Sequence, residues 1–377
     1  MRALRSSLSG TALHASLARV LSCLQSTNSY ASVLSFGNGG QGALGLGDTA
    51  DSYSPEEVQR LPGSIGGVAA GHYHSLAWDT HEGRLYSWGR NAEKQLGRPI
   101  EETGAVNVDS SPGVITGLPH RVVGAAASGV ASFAIDSAGC MWSWGTSKRG
   151  QLGQGAGIAE SPLPGRVHGL EGVISVVCGW GHALALTEDG EVYAWGFPAD
   201  GRLGTSRDAS SSQATEDGIL GACVWVPQKV EALSGVKIQQ VAIWGWQHGL
   251  KGLPETLLTP STVAGLGLQL QGQSSFRKPD ARVHVAAGRV HSLLAAPAEV
   301  LSFWDNPQDP CSSSWSLTEE GWQGDVLLSW GDGQNGRLGL GSSQSVDEPE
   351  VVPESDGYQI LDMACGHDHS LILVAKT

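Results

Sequence analysis

The sequence predicts an all-β fold in which four-stranded units repeat around a ring, a β-propeller. One short phrase, an aromatic residue and Gly followed after a gap by Leu-Gly, recurs at a spacing of about 50 residues. A second phrase alternates with it: a small residue, Gly, two variable residues, His, a small residue and Leu. The segments between the phrases alternate apolar and polar residues, as half-buried strands do.

Copies of both phrases extend over most of the chain. The first phrase runs from Phe36-Gly37 to Leu44-Gly45, Trp88-Gly89 to Leu96-Gly97, Trp144-Gly145 to Leu152-Gly153, Trp195-Gly196 to Leu203-Gly204, and Trp330-Gly331 to Leu338-Gly339. The second is clearest at residues 70–76, and weaker copies lie around Gly129, Gly179, Gly245, Gly288 and Gly366. The chain is therefore an array of one supersecondary unit.

Each unit reads as roughly four short antiparallel strands joined by Gly-rich turns. Alternation is clear in residues 83–89 and 190–196, and Asp189-Gly190 is a strong hairpin signal. The 53 glycines fall at fixed offsets in the repeat, which indicates tight turns rather than low complexity. Repeated radially, such units leave only short, protected sheet edges.

The two ends of the chain are complementary. The first Phe36-Gly37 strand has no preceding copy of the second phrase. The last copy of the second phrase, residues 365–371, has no following Trp-Gly strand. We therefore expect the two termini to complete one shared blade.

These repeats resemble those of the regulator of chromosome condensation family, whose consensus joins Trp-Gly, Gly-Gln-Leu-Gly, Pro-x-x-Val and Ala-Ala-Gly-x-x-His-Ser. Residues 143–153 and 331–341 match well, and Pro55 to Val58 and Pro227 to Val230 supply the middle signature. The resemblance covers about residues 33–376 and implies a seven-bladed propeller. Within the family, the chain resembles an organellar-type member.

The chain departs from that pattern in the region between Gly245 and Gly288, where a Trp-Gly strand is missing. We expect about six recognisable units, one of them degenerate, in a single propeller domain at 33–377. Irregular insertions are predicted at about 206–224, 249–282 and 297–324. A lost exon, a gene-model error or genuine divergence would each produce this gap.

The amino-acid composition limits which classes of partner and site are expected. The net charge is −14, and no Lys-rich run is present, so direct DNA binding is not expected. Six scattered cysteines form no Cys-x-x-Cys pair, which favours reduced thiols over a disulfide framework or a zinc site. No apolar run is long enough to predict a membrane span.

The N-terminal segment differs from the rest. Residues 1–47 contain no acid, and Leu13, Leu17, Val20 and Leu24 fall on one helical face beside Arg2, Arg5 and Arg19. This pattern is typical of an organelle transit peptide, which we assign to residues 1–30. Mitochondria are the expected destination, with plastid or nucleus and cytosol as alternatives.

We find no catalytic motif, and we expect neither a metal nor a cofactor. The recurring histidines and tryptophans are interpreted as structural, because each returns at one repeat position. The variable pairs inside Gly-x-x-His should instead gather on loops at one end of the ring, where binding residues commonly lie. The candidate partner-binding residues are His72, Tyr73, Trp180, Trp246, Gln247, Arg289, His367 and Asp368.

The expected function is a non-enzymatic scaffold for a protein partner in an organelle. That partner is a small or dynamin-like GTPase undergoing nucleotide exchange, or a factor in mitochondrial RNA processing or ribosome assembly. The resemblance also implies two alternatives: a nuclear or cytosolic exchange factor for the GTPase Ran, and a UV-B photoreceptor. Only Asp368 retains the acid that contacts Ran, no nucleotide-displacing wedge is evident near 197–200, and the photoreceptor's Gly-Trp-Arg-His motifs lack their Arg at 181 and 247.

Overall fold

The computed structural model describes residues 30–99, 107–179, 181–198, 202–205, 223–235, 238, 284–287, 291–297 and 324–376. The predicted transit peptide therefore lies outside the described residues, apart from Tyr30. Most of each predicted insertion, and the region where a Trp-Gly strand is missing, also lie outside them.

The described residues form twenty strands in five four-stranded sheets. Blade 1 contains β19 (Tyr358–Cys365), β20 (His369–Lys376), β1 (Ala31–Gly37) and β2 (Ser52–Glu57); blade 2 contains β3 (Ile65–Ala70), β4 (His74–Asp79), β5 (Leu85–Arg90) and β6 (Val108–Val114). Blade 3 contains β7 (Val122–Ala127), β8 (Ala131–Asp136), β9 (Met141–Thr146) and β10 (Glu160–Arg166). Blade 4 contains β11 (Val173–Cys178), β12 (His182–Thr187), β13 (Val192–Gly196) and β14 (Val224–Lys229); blade 5 contains β15 (His284–Ala287), β16 (His291–Pro297), β17 (Asp325–Gly331) and β18 (Val346–Val351). Short 3-10 helices lie at Glu231–Leu233, Gln334–Gly336 and Pro353–Ser355.

Blade 1 closes the ring with strands from both ends of the chain. Strand β1 pairs antiparallel with β20, with Phe36 opposite Ser370 and Leu34 opposite Ile372. The predicted closure is confirmed. This pairing joins the N-terminal strand to the last strand of the chain through backbone hydrogen bonds, so blade 1 ties the ends together.

The first strand of each blade lies nearest the ring axis. Strand β3 contacts β19 and β7, β7 contacts β11, and β15 contacts β19, so first strands of neighbouring blades touch one another. In blades 1 and 2 the Gly-x-x-His loop, and in blade 3 the equivalent residues 128–130, lead from this inner strand to the second strand. These loops therefore cluster around the centre of one end of the ring, which we name the loop face.

The apolar core runs between blades rather than within one blade. Leu34 and Phe36 of blade 1 pack with Leu293 and Leu327 of blade 5 in one cluster. Equivalent clusters join blades 1 and 2, 2 and 3, and 3 and 4. Both faces of a blade are thus buried, which explains why its strands combine small and large apolar residues so closely.

The glycine after each aromatic residue supports the loop face. Gly37, Gly89, Gly145, Gly196 and Gly331 all adopt positive φ, between +103° and +114°. A Cβ on Gly89 would lie 2.5 Å from the carbonyl oxygen of Tyr73 in the Gly-x-x-His loop. Only glycine satisfies both the backbone conformation and this close approach.

We predict that Gly89→Ala destabilises the protein by about 2 to 4 kcal/mol, because it adds a clash to backbone strain. The matched control is Gly117→Ala, since Gly117 also has positive φ (+92°) but nothing lies within 4 Å of its added Cβ. Urea unfolding of both variants measures the difference. Equal losses of stability in the two variants would show that the loop contact contributes nothing.

Candidate partner-binding face

At two blade boundaries, a single backbone carbonyl accepts two hydrogen bonds from the next blade. The Ala43 oxygen accepts the Trp88 indole N–H at 2.8 Å and the Ser75 hydroxyl at 2.7 Å. The Gln95 oxygen accepts the Trp144 indole N–H at 2.9 Å and the Ser132 hydroxyl at 2.8 Å. Both lone pairs of the carbonyl are thereby used across the blade boundary.

The Leu-Gly glycine beside this carbonyl lies against the aromatic ring of the next blade. A Cβ on Gly45 would approach the Trp88 indole nitrogen at 2.6 Å, and one on Gly339 would approach the Phe36 ring at 3.0 Å. Trp88, Trp144 and Trp195 are fully buried, as their interpretation as core between blades requires. Trp330 of blade 5 is only partly buried.

The recurring histidine completes the joint from the other side. His74 Nε2 lies 2.8 Å from the Ser132 hydroxyl, His369 Nε2 3.0 Å from Ser75, and His291 Nε2 2.9 Å from Ser370. Because these serines donate their own proton to a carbonyl, the histidine must donate from Nε2. The resulting unit of His, Ser, carbonyl and Trp is called the blade joint below.

Burial keeps these histidines neutral. It lowers the pKa of His74 and of His291 to about 3 and that of His369 to about 4, with smaller effects from neighbouring charges. The pKa of His182 falls to about 4, first through burial and then through the Arg202 charge. An uncharged Nε2–H imidazole suits a structural donor, so His74, His291 and His369 belong to the scaffold, and the neutral His182 occupies the same repeat position.

Blade 3 lacks the histidine, and Ser128 rather than Gly129 holds the first position of its loop. The Ser128 N–H donates to the Ala131 oxygen at 2.8 Å, just as the Gly71 N–H donates to the His74 oxygen. The variable pair predicted after Gly129, Val130 and Ala131, is therefore wrong: Ala131 is fully buried in the histidine position, and Gly129 and Val130 are the pair. Ala183 of blade 4 replaces the serine that such a histidine would meet.

We predict that acidification destabilises the protein through these histidines. Between pH 6.5 and about 3 the unfolded chain binds protons that the folded chain does not, so stability is complete above pH 6.5 and falls below it. One unit below 6.5, this costs about 1.4 kcal/mol for each such histidine.

The comparison that isolates this effect is wild type against His74→Gln, by urea unfolding at neutral and mildly acidic pH. The variant should lose less stability on acidification, because Gln keeps a donor and cannot be protonated. Asp362, whose pKa burial raises to about 6, acts with the opposite sign and is common to both proteins. Parallel pH profiles would contradict the assignment.

Above the blade joints, four of the predicted binding residues meet on the loop face. The His72 ring centroid lies 5.0 Å from that of His367 and 5.9 Å from that of Tyr73, and Tyr73 lies 5.6 Å from His367. These rings come from the loops of blades 1 and 2. With Asp368 they form what we call the imidazole–tyrosine cluster.

Charged neighbours hold this cluster in place. Asp368 contacts His367 Nδ1 at 2.7 Å and Arg337 Nη1 at 3.0 Å. Arg337 comes from blade 5 and is only 4% exposed. On the other side, the Arg90 guanidinium lies 5.6 Å from the Tyr73 ring centroid. The Asp368 carboxylate is therefore already bridged within the protein, and the three partly buried rings are the remaining chemistry of the cluster.

The remaining predicted residues, Trp180, Trp246, Gln247 and Arg289, lie outside the described part of the chain. Their place on the loop face stays a prediction.

Sequence reasoning missed a second set of residues on this face. In blades 1 to 4 the residue after the aromatic-Gly pair donates its N–H to the neighbouring loop: Asn38 to Asp368, Arg90 to Tyr73, Thr146 to Val130 and Phe197 to Gly181. The residue before Leu-Gly also contributes, as Arg337 does. Both positions vary at a fixed offset in the repeat, and that variability was the available signal.

Within the described residues, no group of three or more His, Cys, Asp or Glu side chains is placed to hold a metal ion. Over the same residues, no helix is long and apolar enough to cross a bilayer.

Comparison with known proteins agrees with this architecture. The family model described as RCC1-like domain matches residues 32–377. The chain belongs to the RCC1-like family. The mitochondrial RCC1 domain-containing protein RUG3 of Arabidopsis thaliana is 30% identical over 361 residues, covering 91% of this chain and 72% of that protein.

Other RCC1-like relatives differ in length and in name. The ultraviolet-B receptor UVR8 of Arabidopsis thaliana is 30% identical over 323 residues, covering 85% of this chain and 65% of the receptor. The human E3 ubiquitin-protein ligase HERC2 is 28% identical over 362 residues, which cover 89% of this chain but 6% of the ligase. This RCC1-like chain thus spans less than two thirds of either relative.

Solved structures show the same fold. Human WBSCR16 superposes with a TM-score of 0.59 at 21% identity, covering 92% of this chain and 99% of that one. Yeast RCC1 (Prp20), solved bound to Kap60, gives a TM-score of 0.53 at 18% identity, covering 93% and 90%. The predicted family and propeller fold are confirmed.

Proposed function

We propose that this RCC1-like chain is a non-enzymatic scaffold that docks a protein partner on its loop face. The observation that carries the proposal is the imidazole–tyrosine cluster, in which His72, Tyr73 and His367 meet above the blade joints. Tyrosine is among the residue types that most often dominate binding energy at interfaces. The chain's net charge of −14 disfavours nucleic acid as the main partner.

The loops that carry the cluster are fixed before any partner arrives. The Gly71 N–H donates to the His74 oxygen, the Gly366 N–H to the His369 oxygen, and the Asn38 N–H to the Asp368 oxygen, each at 2.8 Å. A face whose loops are already ordered loses less conformational entropy on binding. Such preorganisation favours a loop face that docks a folded partner over one that only closes the end of the ring.

The finer proposal is an organellar partner, either a small or dynamin-like GTPase or a factor in mitochondrial RNA processing or ribosome assembly. Its support is the acid-free leader and the 30% identity to a relative named as mitochondrial. Exchange would be non-covalent: the scaffold would favour a nucleotide-free state of the GTPase and make no bond. Exchange on Ran is less well supported, because Asp368 is bridged by Arg337.

The docking proposal predicts that Tyr73→Ala and His367→Ala each weaken partner binding about tenfold or more while stability changes little. The wild-type protein and each variant are used to capture proteins from purified mitochondria, and the captured amounts are compared. The strongest specific partner is then purified for affinity measurement. Tyr30→Ala is the matched control, because Tyr30 is 81% exposed and precedes β1 at the opposite end of the ring.

Unchanged affinity in both cluster variants would refute docking on this face. If the purified partner is a GTPase, release of a fluorescent guanine nucleotide, with and without the chain, separates exchange from simple scaffolding.

The localisation proposal predicts that residues 1–40, fused to a fluorescent protein, direct it to mitochondria, because import depends on positive charge and amphipathicity. A matched fusion with Arg2, Arg5 and Arg19 replaced by Gln should stay in the cytosol. A wild-type fusion found in the nucleus or cytosol would refute the organellar assignment. It would favour the alternative, a nuclear or cytosolic exchange factor for Ran.

A further inference from the structure

A second cluster lies on the loop face, at the boundary between blades 3 and 4. The Arg149 guanidinium carbon lies 4.6 Å from the centroid of the Phe197 ring, and that of Arg202 lies 5.2 Å from the same centroid. The Phe197 N–H donates to the Gly181 oxygen at 2.7 Å, which fixes the ring beside the Gly-x-x-His loop of blade 4. We name these three residues the Arg–Phe cluster.

A backbone carbonyl equivalent to those of Ala43 and Gln95 positions this cluster. The Arg149 N–H donates to the Gln151 side-chain oxygen at 2.7 Å, and the Gln151 carbonyl accepts the Trp195 indole N–H at 2.7 Å. Arg202 directly precedes the Leu-Gly of blade 4, the same repeat position from which Arg337 reaches Asp368 in blade 1. The two arginines therefore belong to different blades and converge on one ring.

The charge of the cluster is opposite to that of the chain. The sequence has 37 acidic and 23 basic side chains, yet two guanidinium groups meet here around one half-buried ring. The positive charge of Arg202 also acts on His182, where it adds to burial in lowering the pKa of the imidazole. Two positively charged side chains therefore converge at this part of the loop face.

We propose that the Arg–Phe cluster is a docking subsite for an acidic protein segment, a stretch of Asp or Glu side chains on the partner. This rests on the proposed docking function and names the chemistry of the partner. A guanidinium pairs with a carboxylate through two parallel N–H groups, and stacking on an aromatic ring limits the orientations that it loses on binding. The acidic body of the chain disfavours extended phosphate backbones around this spot.

The first test measures binding of a fluorescein-labelled short polyglutamate peptide to the full chain by anisotropy. Arg149→Gln combined with Arg202→Gln should weaken binding about tenfold or more, because charge-assisted hydrogen bonds are lost. The control, Arg84→Gln combined with Arg121→Gln, removes the same charge at the opposite end of blades 2 and 3 and should leave the affinity within about twofold. Phe197→Leu should give an intermediate loss.

Three results would overturn the subsite. The first is equal polyglutamate affinity in wild type and in the Arg149→Gln, Arg202→Gln variant. The second is tighter binding of an oligothymidylate of equal length that is lost in the same variant, which would assign the cluster to nucleic acid. The third is polyglutamate binding seen only after deletion of residues 206–222, which would mean that the chain's own acids occupy the arginines.

The partner captured in the docking experiment separates the two proposals. Capture that depends on Tyr73 but not on Arg149 and Arg202 would remove the acidic-segment subsite and leave the docking function standing. Capture that depends on neither cluster would remove the docking function itself. We expect both clusters to contribute to the affinity for the same partner.

Discussion

The blade joint is the constraint on which the rest of the structure depends. A single carbonyl, that of Ala43 or Gln95, accepts an indole N–H and a serine hydroxyl from the next blade, and a histidine of the previous blade donates to that serine. Left unmade, these buried polar groups would cost about 1 to 3 kcal/mol each. The joint therefore selects one spacing and one rotation between blades, and repetition of that choice generates the ring.

The joint also determines where variation is tolerated. His74 and His369 are committed to the scaffold, so the loop residues beside them are free to differ between blades without loss of the ring. Blade 3 shows how the joint is dismantled: Ala131 replaces the histidine and Ala183 replaces its serine, so no buried donor is left without its acceptor. The loop face thus combines a rigid backbone with side chains that differ between blades, as a docking surface requires.

Much of this organisation could be predicted from the sequence, because each repeat encodes its own strands, turns and aromatic core. Closure through blade 1 followed from the unmatched phrases at the two ends. The loop register of blade 3 did not follow, since the sequence aligns Gly129 with the glycine of the phrase, whereas the backbone bond from Ser128 to Ala131 shows that Ser128 holds that position. The Arg337 bridge to Asp368 and the Arg–Phe cluster also escaped prediction, because long side chains cross blade boundaries in directions that repeat spacing does not specify.

The most direct test of the account is a double-mutant cycle on one joint, with His74→Ala, Ser132→Ala and the double variant compared by urea unfolding. If the joint is an energetic unit, the two substitutions couple by about 0.5 to 1.5 kcal/mol, and the double variant loses less stability than the sum of the singles. Losses that add within about 0.3 kcal/mol would contradict it. The blades would then be held together by apolar packing alone, and the His–Ser contact would have no part in fixing the loop face.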